Sequence, residues 1–139
     1  RNDIGTLIVG YNTTFQRSSD LGRQMNQVFV GIPFGILRRK LKYLCEMNGI
    51  RYVEQEESYT SMASFWDLDE MPVYGEAGFV PPVFSGRRIC RGLYQDRSGR
   101  RINADVNGAL NIMRKCNIVS LRALYDRGDV DTPVRIRIA

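Results

Sequence analysis

Two short apolar runs with one amphipathic segment between them constrain the fold most. Ile4 to Val9 reads Ile-Gly-Thr-Leu-Ile-Val and stops at Gly10, the pattern of a buried strand. Ile50 to Gln55 reads as a second strand and runs into Glu56 and Glu57. Between them, residues 33–48 carry Phe34, Leu37, Leu41 and Leu44 at helical spacing, which predicts an apolar stripe on a helix. Arg38, Arg39, Lys40 and Lys42 lie mostly off that stripe. Pro33 suits a first helical position and Gly49 a C-terminal stop. Residues 11–27 are polar and read as a long loop, a length often tied to function or to a partner. Strand, loop, helix, strand predicts an α/β unit around a central sheet.

Beyond residue 58 the pattern changes. Residues 58–101 hold Pro72, Pro81, Pro82 and five glycines (Gly75, Gly78, Gly86, Gly92, Gly99), and read as a loop-rich insert. A second helix begins near Asp105, with Ala109, Ile112, Met113 and Cys116 as its stripe and Asn103 or Asp105 at its N-terminus. A short helix is expected within 119–127, then a tail over 128–139 with a β-like run (Val134, Ile136, Ile138). At 139 residues the chain has room for one compact domain. It opens on Arg1, in what reads as the approach to a strand, as a piece of a longer protein would.

The inventory excludes several chemistries. With no histidine, the chain offers no Ser-His-Asp or Cys-His catalysis, no His-ligated zinc and no imidazole base. Three cysteines (Cys45, Cys90, Cys116) without paired spacing argue against a disulfide framework and for a reducing, intracellular compartment. No apolar stretch approaches the roughly 20 residues of a membrane span, so no membrane partner is expected. The formal charge of +5 is unevenly spread. Residues 1–50 carry seven basic and three acidic side chains, residues 51–80 one and seven, and residues 81–116 eight and two. An acidic block between basic ones suits a metal-dependent nuclease, with arginines for phosphates and carboxylates for ions. Solvated charged faces explain the same composition equally simply.

Two acidic positions stand out: Glu54, Glu56 and Glu57 at the second strand end, and Asp105 at a helix start. Carboxylates from such elements can converge on divalent ions; two Mg²⁺ about 4 Å apart would activate water and stabilise the leaving oxygen. The plain alternative is a solvated strand end and a helix cap.

The blocks Glu57-Ser-Tyr-Thr-Ser61 and Ile102-Asn-Ala-Asp-Val-Asn-Gly-Ala-Leu-Asn-Ile-Met-Arg-Lys115 closely resemble the C-terminal half of TnpB (OrfB) proteins. These are transposon-associated, "transposase"-labelled proteins related to Fanzor proteins and type V CRISPR effectors. Ile4–Asn12 and Asn26–Phe34 fit as well, so the resemblance spans about residues 2–116 in consistent order. It implies an RNase H-like, RuvC-like nuclease core, C-terminal portion, with a degenerate zinc-ribbon-like insert. The implied division is a partial core over 1–60, the insert over 61–101, the last helical segment over 102–127 and a tail. It further implies an RNA-guided, Mg²⁺-dependent DNA endonuclease encoded by a mobile element, partnered by a guide RNA and target DNA in the cytoplasm or nucleoid. Part of it only, this chain is expected to be inactive alone.

In that family three acidic residues hold two Mg²⁺ ions. The last maps onto Asp105; the first is expected upstream of Arg1. The middle one falls at Gly10, which cannot ligate a metal. A Fanzor-like branch carries a Glu just before the Tyr-Thr-Ser motif instead, which implies Glu57, with Glu56 second. Adjacent strand residues face opposite ways, so at most one of the two points at an ion. The family's paired cysteines map to Ser64 and Asp67, then Cys90 and Leu93; only Cys90 is a cysteine, so no Zn²⁺ is expected. Phe65, Trp66, Met71, Tyr74, Phe79 and Phe84 are expected to plug the insert instead. Arg87, Arg88, Arg91, Arg97, Arg100 and Arg101 beside Tyr94 suit a phosphate track with stacking, and Arg114 and Lys115 join them by family pattern. Asn107 and Asn111 either support the site or cap and pack. The alternatives are an RNA-guided DNA binder without nuclease activity and a truncated transposase relic.

Overall fold

The computed structural model describes residues 4–12, 33–74, 80, 82–127 and 130. The expected long loop beyond Asn12, the Asn26–Gly31 stretch, Phe79 and the 134–138 run lie outside them. The chain divides into two compact units, Arg1–Glu56 and Glu57–Ala139.

In the first unit, β1 (Thr6–Tyr11) and β2 (Arg51–Glu56) pair in parallel. Parallel neighbours need a crossover, and α1 (Phe34–Met47) lies in that connection. The helix stops because Gly49 adopts φ +66°, which lets Ile50 N–H reach back to the Cys45 carbonyl at 2.9 Å. Its buried residue is Cys45, while Leu37 (47 % exposed) and Leu44 (53 % exposed) face outward. The expected stripe is therefore corrected in part: Phe34 and Leu41 keep their places, Arg38 and Cys45 replace Leu37 and Leu44, and the face turns by about 50°. On this face Arg38 Nη1 donates to Glu54 Oε2 on β2 at 3.2 Å and lies over the Tyr11 ring.

The second unit is built on an antiparallel sheet of order β3 (Arg87–Cys90), β4 (Leu93–Gln95), β5 (Arg101–Asn103). Gly92 at φ +77° makes the tight β3–β4 link, a conformation costly for other residues. From β5 the chain enters α2 (Ala104–Cys116) directly. Asn103 Oδ1 caps it, accepting from Asp105 N–H at 2.8 Å and Val106 N–H at 3.2 Å. A short α3 (Arg122–Arg127) follows. The core joins Phe65, Tyr94, Ile102, Ala104, Leu110 and Leu121, with Trp66, Met113, Leu124 and Tyr125 packed on it.

Asparagine dominates the inner face of α2, where Ala109, Ile112, Met113 and Cys116 were expected. Asn107 and Asn111 are fully buried, whereas Ala109 is exposed. The reason lies in the irregular segment before the sheet, whose backbone groups need partners that no ladder supplies. Asn107 Oδ1 accepts from Phe65 N–H at 3.1 Å and its Nδ2 donates to the Ala63 carbonyl at 2.9 Å. Asn111 Nδ2 donates to the Thr60 and Ala63 carbonyls at 3.0 and 2.7 Å.

Candidate nucleic-acid interface

The sheet register sorts the arginines. Paired residues share a face, so Arg88, Tyr94 and Ile102 form one row and Arg87, Gln95 and Arg101 the other. Tyr94 and Ile102 are buried, which makes the second row the outer one. Strands lie about 4.8 Å apart, so Arg87 and Arg101 stand about 10 Å apart across three strands. Arg88, Arg91 and Arg97 are also exposed, and among the described residues none of these five is in an ion pair.

Tyr94 departs from its expected role. It is 1 % exposed and its hydroxyl donates to the Met62 carbonyl at 2.8 Å, so no base can stack on it. Burial, followed by the charges of Asp69, Asp67 and Asp96, pushes its phenol up to about 12. Arg100 is partly committed internally: its guanidinium lies 4.5 Å from the Trp66 ring centre, with Nε 3.9 Å from Asp96 Oδ2. Arg114 Nη2 donates to the Asp69 carbonyl at 2.6 Å, and burial lowers its pKa from the ordinary arginine value. Lys115 Nζ donates to the Ser58 and Pro72 carbonyls at 3.2 and 3.4 Å. Both cations fasten the 58–72 segment to α2.

The carboxylates of the β2 end and of α2 have different surroundings. Glu54 accepts from Arg38 and from the Tyr52 hydroxyl at 2.9 Å. Burial first, then that bond, pushes Tyr52 up to about 12. Gln55 stands opposite Gly10 and Glu56 opposite Tyr11, so Glu56 turns to the face away from the Gly10 position. Glu57 is half-buried, and its carbonyl accepts from Thr60 N–H and Oγ1 at 3.2 and 2.9 Å. Asp105 is exposed in the first turn of α2.

These two candidates do not share one point along α2. Ser58 contacts Lys115, Thr60 contacts Asn111 and Phe65 contacts Asn107, so the segment runs antiparallel to the helix. Glu57 follows the Lys115 end, and Asp105 lies about 15 Å away along the axis from Lys115. Among the described residues, no three His, Cys, Asp or Glu side chains group to hold a metal ion.

The turn opposing Ser64–Asp67 is not at the second mapped cysteine pair. It is the β4–β5 turn around Asp96–Arg100, not Cys90–Leu93: Arg97 N–H donates to Asp67 Oδ2 at 3.0 Å. Asp67 N–H donates to Ser64 Oγ at 3.2 Å. Cys90 is exposed at the end of β3. Of the expected plug, Phe65 and Trp66 join the core, while Phe84 and Tyr74 gather on Tyr59, a residue not singled out in the sequence.

Fold and surface together define a small α/β protein carrying an arginine-rich antiparallel ribbon. A family model, Cas12f1-like, TNB domain, matches residues 34–112, more than half of the chain, and the chain belongs to that family. It is thereby related to the TnpB and Cas12 type of RNA-guided nuclease. No curated protein matches the chain. No solved structure matches it either. No helix among the described residues is long and apolar enough to cross a membrane.

Proposed function

We propose that this chain grips a nucleic-acid backbone within an RNA-guided, mobile-element-encoded DNA endonuclease. The observation that carries this reading is the outer row of the ribbon, where Arg87 and Arg101 flank Gln95. Between residues 87 and 101 there are six arginines and one acid, Asp96, and that acid is turned inward onto its own hairpin. Exposed arginines at strand spacing bind phosphates of any sequence. Base pairing by a guide RNA then supplies sequence recognition.

The same reading keeps Asp105 and Glu57 as the carboxylates proposed for Mg²⁺, Glu57 ahead of Glu56 because Glu56 turns away from the Gly10 face. Their spread along α2 favours, as a second reading, an RNA-guided binder whose chain here does not cut. Salt-dependent binding of a labelled single strand to the full chain tests the main reading. Arg87→Ala with Arg101→Ala should weaken binding and lower the salt slope by about 0.7 for each lost phosphate contact. An unchanged slope would refute the ribbon as the contact surface.

A further inference from the structure

Tyr59 is held in the left-handed region at φ +65°, a conformation that an aromatic residue adopts at a cost of about 1–3 kcal/mol. Glycine would make this turn with less strain. The turn is tied by its own carbonyl, which accepts from Met62 and Ala63 N–H at 2.9 Å each. Its ring lies between two others: Phe84 at 5.8 Å and Tyr74 at 6.4 Å between centres. Tyr74 is the outermost of the three at 68 % exposed, and its backbone N–H is pinned to Ser58 Oγ at 3.3 Å. A large aromatic ring is thus presented to solvent, with its backbone held by Ser58 and its inner side toward Tyr59.

Its surroundings point to the ligand. Phe84 precedes Arg87 by three residues, so the arginine strand starts within about 10 Å of the aromatic group. Arginines that track phosphates beside a fixed aromatic face match what an unpaired nucleotide presents: charge on one side and a π-face on the other. We propose that Tyr74, buttressed by Tyr59 and Phe84, is a stacking platform for an unpaired base of the strand gripped by β3. This deepens the nucleic-acid reading above and rests on it.

The test uses the full chain and two labelled twelve-nucleotide probes, oligodeoxythymidine and a strand of abasic residues, followed by fluorescence anisotropy. Tyr74→Ala should weaken binding of the thymidine strand about tenfold, the loss of one stacked base. It should leave the abasic strand unaffected, and Tyr74→Trp should restore affinity for thymidine. Equal loss on both strands, or no loss on thymidine, overturns the platform while Arg87→Ala still reports on the ribbon. Failure of the parent chain to bind either strand overturns both. Because Tyr74 is exposed, the Trp66 fluorescence melt of Tyr74→Ala should match the parent, which separates stacking from unfolding.

Discussion

Replacing Asn107 by Ala tests whether the asparagines of α2 are structural fasteners or parts of a chemical site. The side chain is 0 % exposed and serves both ends of its amide. Without it, buried Phe65 N–H loses its acceptor, at a cost of about 1–3 kcal/mol for an unsatisfied donor. The Ala63 carbonyl keeps Asn111 Nδ2 at 2.7 Å, so the second lost bond costs only about 1 kcal/mol. The sum, about 3 kcal/mol, is a large share of the roughly 4–12 kcal/mol that holds a unit of this size. The midpoint of thermal unfolding should fall by about 10–20 °C. Trp66, the single tryptophan, packs 5.2 Å from Phe65 and reports the transition directly. Asn107→Asp keeps an acceptor for Phe65 but sets a buried carboxylate against the Ala63 carbonyl, so its stability should recover as pH falls and the acid protonates. A loss below about 1 kcal/mol for Asn107→Ala, by urea unfolding with unchanged m, would refute the fastener argument.

Three other outcomes follow from the geometry. Tyr94, with an ordinary value of 10.0 raised to about 12, favours its neutral form in the folded state. Its contribution to stability is therefore complete below pH 10 and lost as pH rises through 12; Tyr94→Phe should remove that part of an alkaline stability profile. A Cβ at Gly86 would sit 2.6 Å from the Gln95 carbonyl oxygen and 2.6 Å from Tyr94 Cε1, so Gly86→Ala should cost about 1–3 kcal/mol in chemical denaturation. The full chain with Mg²⁺ should not nick plasmid DNA, since Glu57 and Asp105 are two of the three carboxylates proposed for the ions; nicking abolished by Asp105→Asn would refute the three-carboxylate reading.

The strand–helix–strand order was legible because each element carries its own signal: apolar runs at Ile4–Val9 and Ile50–Gln55, helical spacing between, and Gly49 as a stop. The helix face was legible in part: Phe34 and Leu41 lie on it, but so does Arg38, whose partner Glu54 stands sixteen residues away on another element. The ribbon was legible only as a loop-rich insert. Its strands run three or four residues, too short for alternation to register, and just Tyr94 and Ile102 mark the inner row. The arginines themselves were legible as a nucleic-acid signal. Which of them face out needed the register, and Tyr94 beside them was a core residue. The asparagines at 107 and 111 read as polar helix positions; their spacing of four, one turn apart, was the available sign that both serve the same neighbour.

Two acids of the acidic block, Asp67 and Asp69, and Asp96 beyond it have a structural use that composition does not reveal. A carboxylate cluster suggests ions when charge is counted without backbone. In this chain Asp69 Oδ2 accepts from Ser64 N–H at 2.7 Å and Ser85 N–H at 3.0 Å. Asp96 Oδ1 accepts from Arg100 N–H at 2.7 Å and the Ser98 hydroxyl at 2.8 Å, and Asp67 bridges to Arg97 N–H. Each of these acids supplies acceptors to turns that have no ladder of their own, and charge-assisted bonds to N–H groups are the stronger kind. With Asp69 and Asp96 buried, their negative charge is directed at backbone amides rather than at solvent. The outer arginines of the ribbon therefore face water with less acidic competition than the formal net charge of +5 suggests. The same residues that hold the hairpin together leave its surface basic, so Asp96→Ala, which removes the acceptor for Arg100 N–H and Ser98, should weaken nucleic-acid binding although it raises the net charge by one.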